Sequence, residues 1–155
     1  MTQNRTLELF NPNGLAVILG WLLLSTPAFE NNISQQASGS DLYFRRCGSG
    51  IRDYCVVDGD TIWFNGIKMR IADIDTPEVT KPHCAAEKAL GDRAATRLLE
   101  LVNAAPFQIQ AWPKHDEDRY GRKLRVLVRG GRSIGDVLVS EGLARTWIGK
   151  RQPWC

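Results

Sequence analysis

Residues 55–78 read CVVDGDTIWFNGIKMRIADIDTPE, and this stretch decides the fold. Two runs rich in β-branched and aromatic residues, 55–64 and 67–74, stand on either side of Asn65-Gly66. Asn-Gly is the dipeptide that best suits a two-residue turn in which both residues have positive φ. Two strand-forming runs separated by such a turn predict a β-hairpin.

Further strands are predicted after the hairpin. Residues 107–112, 123–129 and 143–148 have the composition of strands, and Gly130-Gly131 gives a turn after the second of these. With the hairpin they make five strands. We therefore predict an α+β fold, a small five-stranded β-barrel with α-helices. Closure into a barrel leaves no strand edge unpaired.

Two helices are predicted from apolar spacing. The first covers 85–103, where apolar residues recur every three or four positions. The second covers 134–141, with Ser133 able to cap its first turn and Gly142 able to end it. The apolar positions are Ala86, Leu90, Ala94, Leu98 and Leu101 in the first helix and Ile134, Val137 and Leu138 in the second.

Composition is that of a globular domain with an uneven distribution of charge. Hydrophobic residues make up 43% of the 155 and charged residues 24%, which excludes a wholly disordered or multispanning membrane protein. Residues 119–132 hold six basic side chains and no acidic one, directly after the acidic segment 116–118. A local basic stripe suits a polyanion, although a solvated strand face would account for its outward residues.

The N-terminal residues have the pattern of an export signal. Residues 15–24 form an uncharged apolar run, too short for a comfortable membrane span, and small residues follow at 25–28. The polar stretch 31–40 then has the chemistry of a linker. We expect residues 1–28 to be a signal peptide, 29–46 a linker and 47–155 the folded domain. An uncleaved anchor and a buried helix of the domain are the alternatives for the first segment.

The four cysteines suit an exported protein, periplasmic or secreted. All four follow the apolar run, and an even number of cysteines in a small exported domain indicates two disulfides. Three pairings are possible. Cys47 with Cys55, which closes a short loop, is the first choice, and it leaves Cys84 with Cys155. A zinc site is disfavoured because the sequence has no Cys-x-x-Cys pair.

Carboxylates cluster at the open end of the predicted hairpin, opposite its turn. Asp58 and Asp60 stand near the start of its first run, and Asp73 and Asp75 at the end of its second. Because hairpin strands are antiparallel, these two ends meet at one edge, and Asp60 can approach Asp75. Oxygen ligands without neighbouring Cys or His suit a hard cation, Ca²⁺ or Mg²⁺. Taken alone, each motif would be a turn or a helix start.

Two arginines near these carboxylates point to phosphate chemistry. Arg70 lies in the second run, and Arg122 precedes the 123–129 strand on the face of Leu124, which alternation predicts to be buried. A guanidinium donates two hydrogen bonds to phosphate oxygens at once. It stabilises the phosphate most when negative charge builds up in the transition state. Glu78, beside the carboxylates, can accept a proton from an attacking water molecule.

Three segments resemble the motifs of the staphylococcal nuclease family. Residues 57–61 read VDGDT, 70–78 read RIADIDTPE and 118–122 read DRYGR, within a resemblance that covers residues 53–148. The resemblance implies an OB-fold barrel and a Ca²⁺-dependent nuclease. Such an enzyme hydrolyses phosphodiester bonds of DNA and RNA and leaves 3′-phosphate ends.

The resemblance also implies a metal site and a general base. Asp60 and Asp75 match the family's metal carboxylates, and Thr76 matches a ligand that uses its backbone carbonyl. Glu78 matches the proposed general base. The expected cofactor is therefore Ca²⁺.

The remaining matches concern the phosphate. Arg70 and Arg122 match two arginines that bind phosphate and stabilise the transition state. Tyr120 matches a tyrosine that helps to hold a substrate phosphate, and Asp58 and Asp118 match supporting carboxylates. We expect DNA and RNA as partners, single-stranded or unpaired regions favoured, and a monomeric chain.

The chain departs from the family at the nucleotide pocket. The family's pocket tyrosines have no clear match, and Trp147 is the nearest aromatic candidate for stacking on a base. We expect two helices, with the family's third, C-terminal helix absent. Two alternatives to an enzyme are an OB-fold that only binds nucleic acid and an envelope protein with a structural Ca²⁺. Cleavage that requires Ca²⁺ would separate them from a nuclease.

Overall fold

The hairpin predicted at Asn65-Gly66 lies in the middle of the main sheet in the computed structural model, which describes residues 35–37, 42–113 and 115–155. Asn65 and Gly66 have φ of 50° and 73°, as the predicted turn requires. The predicted signal segment 1–28 lies outside the described residues. So does most of the predicted linker.

The described residues form ten strands and two helices. The strands are β1 Gln35–Ala37, β2 Arg45–Arg46, β3 Cys55–Asp58, β4 Thr61–Phe64, β5 Ile67–Ile71, β6 Ile74–Asp75, β7 Phe107–Ala111, β8 Lys123–Arg129, β9 Arg132–Ser133 and β10 Arg145–Thr146. The helices are α1 Ala85–Ala104 and α2 Ile134–Ser140.

The strands form a mixed sheet and a separate two-stranded ladder. The sheet runs β1-β7-β8-β5-β4-β3-β2, with β9 paired to β8, and β6 pairs with β10. Two pairs of neighbouring strands are parallel, namely β5 with β8 and β2 with β3. The other pairs are antiparallel. The predicted α+β class with two helices is confirmed. Hydrogen bonding between the described strands does not close this sheet into a complete barrel.

Both predicted strands of the hairpin are interrupted. The 55–64 run divides into β3 and β4 at Gly59-Asp60, and the second run divides into β5 and β6. A Cβ atom on Gly59 would lie 2.8 Å from the Ala94 Cβ and from the Thr76 Cγ2. The turn therefore packs tightly against α1, and the interruption turns Asp60 into the protein rather than along a strand.

Helix α1 buries a different face near its start from the one predicted. Ala86 is exposed and Leu90 half-buried, whereas Glu87 and Gly91 are buried. The predicted stripe is correct from Ala94 onward. A Cβ on Gly91 would lie 2.7 Å from the Pro77 carbonyl oxygen, so the glycine lets α1 approach the backbone of the Thr-Pro-Glu segment.

Three further predictions are corrected. In β8 the fully buried side chain is Leu127, whereas Leu124, on the predicted buried face, is only half-buried. The predicted 143–148 strand is reduced to β10. Phe44, which the predicted 29–46 linker includes, is a core residue at 1% exposure, so the packed domain begins before Cys47.

The two disulfides connect Cys47 to Cys55 and Cys84 to Cys155, the favoured pairing. The second bridge ties the C-terminal segment to the start of α1, where the Cys84 sulfur accepts a hydrogen bond from the Glu87 amide. Among the described residues, no helix combines the length and the apolar character needed to cross a membrane.

Candidate active site

Asp60 and Asp75 meet at the edge of the sheet, as the hairpin geometry predicts. Their exposures are 2% and 3%. The Arg70 Nη2 atom lies 3.2 Å from the Asp60 Oδ2 and 3.8 Å from the Asp75 Oδ1. The turn between β3 and β4 and the β6–β10 ladder thus bring two buried carboxylates to one guanidinium.

Arg70 is fixed from several sides. It projects from β5 and donates hydrogen bonds to the backbone carbonyls of Ile71 and Ile74, at 3.1 and 3.0 Å. Its Cζ lies 4.9 Å from the centre of the Trp147 ring, a cation–π contact. Trp147 is itself held by a hydrogen bond from its amide to the Asp73 carbonyl, at 2.8 Å. The aromatic candidate for base stacking therefore supports Arg70 in this structure.

Arg122 reaches the same site from the loop before β8. Its Nε donates to the Asp118 Oδ2 at 2.7 Å, and its Nη1 lies 3.4 Å from the Thr61 Oγ1. The Thr61 hydroxyl donates to the Asp60 Oδ1 at 2.9 Å. Thr61 thus links the two arginine-bearing parts of the site through Asp60.

Asp118 shapes the loop that carries Tyr120. Its Oδ1 accepts hydrogen bonds from the amides of Tyr120 and Arg122, at 2.9 and 3.0 Å, and Gly121 adopts a φ of 72°. These bonds to Arg122 and Tyr120 outweigh the effect of burial and lower the pKa of Asp118. Tyr120 is 68% exposed, and its ring contacts the guanidinium groups of both Arg119 and Arg122.

Glu78 is positioned by a residue that the motif does not include. Glu87, in the first turn of α1 and 2% exposed, accepts hydrogen bonds from the amides of His83 and Glu78, at 2.5 and 3.3 Å. The hydrogen bond from the His83 amide lowers the pKa of Glu87 and favours the carboxylate. Glu87 and Gly91 together hold the 78–83 segment against α1.

Arg151, from the C-terminal segment, lies among the carboxylates. Its Nε is 3.1 Å from the Asp75 Oδ1, its Nη2 is 3.9 Å from the Asp60 Oδ2, and its Nη1 contacts the Glu78 Oε1. Trp154 also reaches the site and lies with its Nε1 at 3.3 Å from the Asp75 Oδ2.

Burial raises the pKa of two carboxylates near the hairpin edge, Asp75 and Asp58. Burial raises the pKa of Asp75, and Arg151 only partly offsets it. Burial, with the nearby charge of Asp60, raises the pKa of Asp58 to about 7. The Asp58 Oδ1 accepts a hydrogen bond from the Asp60 amide at 3.1 Å, which fixes the turn. A further positive charge, in addition to Arg70 and Arg151, would relieve the clustering of negative charge at this edge.

The type of ligand atom that the site offers, oxygen, suits a hard cation. The Asp60 Oδ2 and the Asp75 Oδ1 are buried and accept no hydrogen bond from the described residues. Carboxylate and carbonyl oxygens are the ligands that Ca²⁺ prefers. Thr76, the residue predicted to contribute a backbone carbonyl ligand, is buried and directly follows Asp75. Within the described part of the chain, no group of three or more His, Cys, Asp or Glu side chains comes together as a metal cluster.

These elements border one cleft of about 890 Å³. Its lining residues are Lys68, Arg70, Ala72, Glu78, Trp112, Asp118, Arg119, Tyr120, Arg122, Leu124, Trp147 and Arg151. Both phosphate-binding candidates, the candidate base and the exposed tyrosine therefore share one opening. His83 and His115 are not among the lining residues.

The basic stripe at 119–132 does not form one surface. Arg119 and Arg122 line the cleft, whereas Lys123 and Arg125 pair with Asp116, at 2.6 and 2.7 Å. Arg129 donates to backbone carbonyls at the end of α1, including that of Leu101 at 2.7 Å. Only part of the stripe is therefore available to a polyanion in the cleft.

Sequence reasoning missed Glu87 and Arg151. Glu87 stands on the buried face of α1, and an acidic residue one turn before a helical glycine, Gly91, was the available signal. No local pattern in the sequence predicts the role of Arg151. It lies in the C-terminal tail, residues 147–155, and the Cys84–Cys155 bridge holds this tail next to the start of α1.

Comparison with known proteins agrees with these motifs. The family model described as staphylococcal nuclease homologue matches residues 68–153. The chain is 39% identical over 93 residues to endonuclease YncB of Bacillus subtilis (strain 168), which covers 57% of this chain and 44% of that protein. It is 34% identical over 102 residues to the micrococcal nuclease of Shigella flexneri, covering 57% and 53%.

A third relative is the thermonuclease of Staphylococcus hyicus, 31% identical over 94 residues, covering 58% of this chain and 54% of that protein. The chain thus spans about half the length of these relatives. The family model matches more than half of the chain and includes Arg70, Asp75, Glu78 and Arg122. The chain belongs to the staphylococcal nuclease homologue family.

Proposed function

We propose that this protein is a Ca²⁺-dependent nuclease that hydrolyses phosphodiester bonds of DNA and RNA. The observation that carries the proposal is the convergence of two buried carboxylates, Asp60 and Asp75, on Arg70. Arg70 lines the same cleft as Glu78 and Arg122, whereas the two carboxylates lie behind it and are not lining residues. The names of the relatives, endonuclease and micrococcal nuclease, support the same activity.

In this proposal Asp60, Asp75 and the Thr76 carbonyl hold the cation. When bound, Ca²⁺ neutralises charge on the phosphate and helps to orient a water molecule. The buried position of the two carboxylates supports this role, since burial raises the pKa of Asp75 even with Arg70 and Arg151 beside it, and a bound cation would offset that cost.

Glu78 accepts the proton of the attacking water. Its side chain is 32% exposed at the cleft, and the hydrogen bond between its amide and Glu87 fixes its backbone. A general base must be held within hydrogen-bonding reach of the proton that it accepts, and a fixed backbone at the cleft favours this. The water oxygen bonds to phosphorus as the phosphorus–oxygen bond to the 5′ oxygen breaks. The products are a 3′-phosphate end and, after the 5′ oxygen takes up a proton from solvent, a 5′-hydroxyl.

Arg70 and Arg122 stabilise the charge that builds on the phosphate oxygens. Arg70 is fixed by two backbone carbonyls and Trp147, and Arg122 by Asp118. Donors that are fixed beforehand need little reorganisation during the reaction, which is what makes such groups effective. Tyr120, exposed and in contact with two arginines, assists in binding a neighbouring phosphate.

The substrate and compartment are parts of the same proposal. We expect single-stranded or unpaired regions to be preferred, and a monomer to be active. Two disulfides support export to the periplasm or the medium, because such bridges persist in oxidising compartments. Fractionation of the expressing cells tests this. Protein found only in the cytoplasm would contradict it.

The experiment that tests the activity is cleavage of labelled single-stranded DNA and RNA by the full chain, with Ca²⁺ and with a chelator. We expect cleavage only with Ca²⁺, and products that a phosphatase can dephosphorylate at the 3′ end. Binding of DNA without cleavage under either condition would instead favour the non-catalytic OB-fold.

A further inference from the structure

Arg151 faces the atoms that the proposed metal site would use. The Asp75 Oδ1 and the Asp60 Oδ2 are two of the three buried carboxylate oxygens that accept no hydrogen bond among the described residues, and the Arg151 guanidinium forms ion pairs with them at 3.1 and 3.9 Å. A third contact joins it to Glu78, the proposed base. One cationic side chain thus engages both candidate carboxylate ligands and the candidate base.

The tail that carries Arg151 is fastened on both sides. Before it, β10 pairs with β6, and Arg145 pairs in register with Asp75. After it, Cys155 is bonded to Cys84. Arg145 also donates to the Pro153 carbonyl at 3.1 Å and lies 3.8 Å from the centre of the Trp154 ring. A side chain held this way has a high effective concentration at the carboxylates.

The tail can release Arg151 without opening the core. The Arg151 side chain is 44% exposed, and residues 148–150 are exposed. Gly149, with a φ of 89°, lies in the short connection between Trp147 and Arg151. Movement of this side chain would therefore uncover the carboxylates and leave the buried apolar residues in place.

We propose that Arg151 is a built-in counter-cation that competes with the metal for the carboxylates. This inference rests on the proposed function, since it concerns the same Ca²⁺ site. Arg70 already lies 3.2 and 3.8 Å from these two oxygens and is held there by the Ile71 and Ile74 carbonyls. A second guanidinium and a divalent cation beside the same oxygens would repel each other strongly, and Arg151 is the exposed arginine of the two. The tail therefore sets the Ca²⁺ concentration at which the site fills.

The size of the effect follows from how often Arg151 occupies the site. If only about one molecule in ten has Arg151 displaced, the apparent dissociation constant for Ca²⁺ is about ten-fold higher than that of the uncovered site. Removing the guanidinium should recover this factor.

The test is calorimetric titration of the full, oxidised chain with Ca²⁺, without substrate. We expect Arg151→Ala to bind Ca²⁺ about ten-fold more tightly than the wild type. Lys150→Ala, which removes an exposed positive charge from the neighbouring position, should bind Ca²⁺ like the wild type. Asp75→Asn should bind Ca²⁺ much more weakly, which assigns the heat to this site.

A thermal melt of the same variants gives a second readout. Without Ca²⁺, Arg151→Ala should melt at a lower temperature than the wild type, because Asp60 and Asp75 lose a partner. Saturating Ca²⁺ should raise its melting temperature by more than it raises that of the wild type, since tighter binding stabilises more at equal ligand. If the alanine variant does not fold, Arg151→Gln takes its place.

The possible failures are distinguishable. Equal or weaker Ca²⁺ binding by Arg151→Ala, with binding by the wild type intact and lost in Asp75→Asn, overturns the competition and leaves the proposed function standing. No Ca²⁺ binding by either protein, or binding that Asp75→Asn leaves unchanged, overturns both.

Discussion

Arg70 and Arg97 each lie between two carboxylates, one pair buried and the other exposed. Arg70 contacts Asp60 and Asp75 with all three side chains at most 7% exposed. Arg97 contacts Glu100 and Glu141, with distances of 2.8 and 2.9 Å and side chains 34–57% exposed. The same chemical grouping thus occurs once inside the protein and once on its surface.

The two groups affect their carboxylates in opposite directions. Hydrogen bonds from Arg97 lower the pKa of Glu141, as expected where water already solvates both partners. At Asp75 burial outweighs the arginines, and the pKa is raised. The exposed group stabilises the contact between α1 and α2. Burying Arg70 with Asp60 and Asp75 costs desolvation free energy, and apolar side chains at the same positions would avoid that cost. We interpret that cost as a requirement of function.

Removing the buried arginine should give the largest loss of stability. Arg70→Ala leaves Asp60 and Asp75 with fewer positive partners, and we expect the free energy of unfolding to fall by about 3–5 kcal/mol. Denaturant titration with Ca²⁺ absent measures this. A loss no greater than that of Arg97→Ala would contradict the distinction between the two groups.

The bridge that holds the tail should come next. Replacing Cys84 and Cys155 together by serine opens a loop of sequence separation 71, compared with 8 for Cys47 and Cys55. Because loop-closure entropy grows with length, the first pair should cost about 2 kcal/mol more than the second. Thermal melts of both double-serine variants provide the comparison. Equal losses would show that the tail bridge does not constrain the unfolded chain as expected.

A pH-dependent effect of intermediate size is expected at Asp58. Its pKa is raised to about 7, so its stabilising contribution is complete only below the ordinary value of 3.8 and is lost as the pH rises through 7. With Ca²⁺ absent, Asp58→Asn should therefore be more stable than the wild type at pH 8, by about 1 kcal/mol for this half-buried group. The gain should disappear near pH 4. A gain that is independent of pH would contradict burial of the charge as its cause.

Removing the exposed arginine should give the smallest effect. Arg97→Ala breaks contacts that water can replace, so the denaturation midpoint should fall only slightly and the fall should shrink further in high salt. The nuclease rate should not change. A large fall at high salt would mean that Arg97 acts through packing rather than charge.

The sequence predicted what depends on local chemistry and on order along the chain. Asn65-Gly66 determined the hairpin, and antiparallel pairing then brought Asp60 near Asp75. The helix bounds followed from apolar spacing and from Ser133 and Gly142. These features need only neighbours in the sequence or one strand pairing.

Features that depend on tertiary packing were not predictable from one sequence. Gly59 interrupts the strand because Ala94 packs against it, and an isolated Asp-Gly looks like an ordinary turn. The buried carboxylate of Glu87 resembles a helix-start residue until the 78–83 segment folds over it. Arg151 reaches the site only after the chain has folded back to Cys84.

The most direct test of the central claim is the single-turnover rate of DNA cleavage by Glu78→Gln at saturating Ca²⁺. Glu100→Gln, the same change at an exposed glutamate of α1, is the matched control. We predict a loss of about 100-fold or more for Glu78→Gln with Ca²⁺ binding retained, and no loss for Glu100→Gln. Cleavage by Glu78→Gln at the wild-type rate would contradict the assignment of this cleft as the catalytic site with Glu78 as its base.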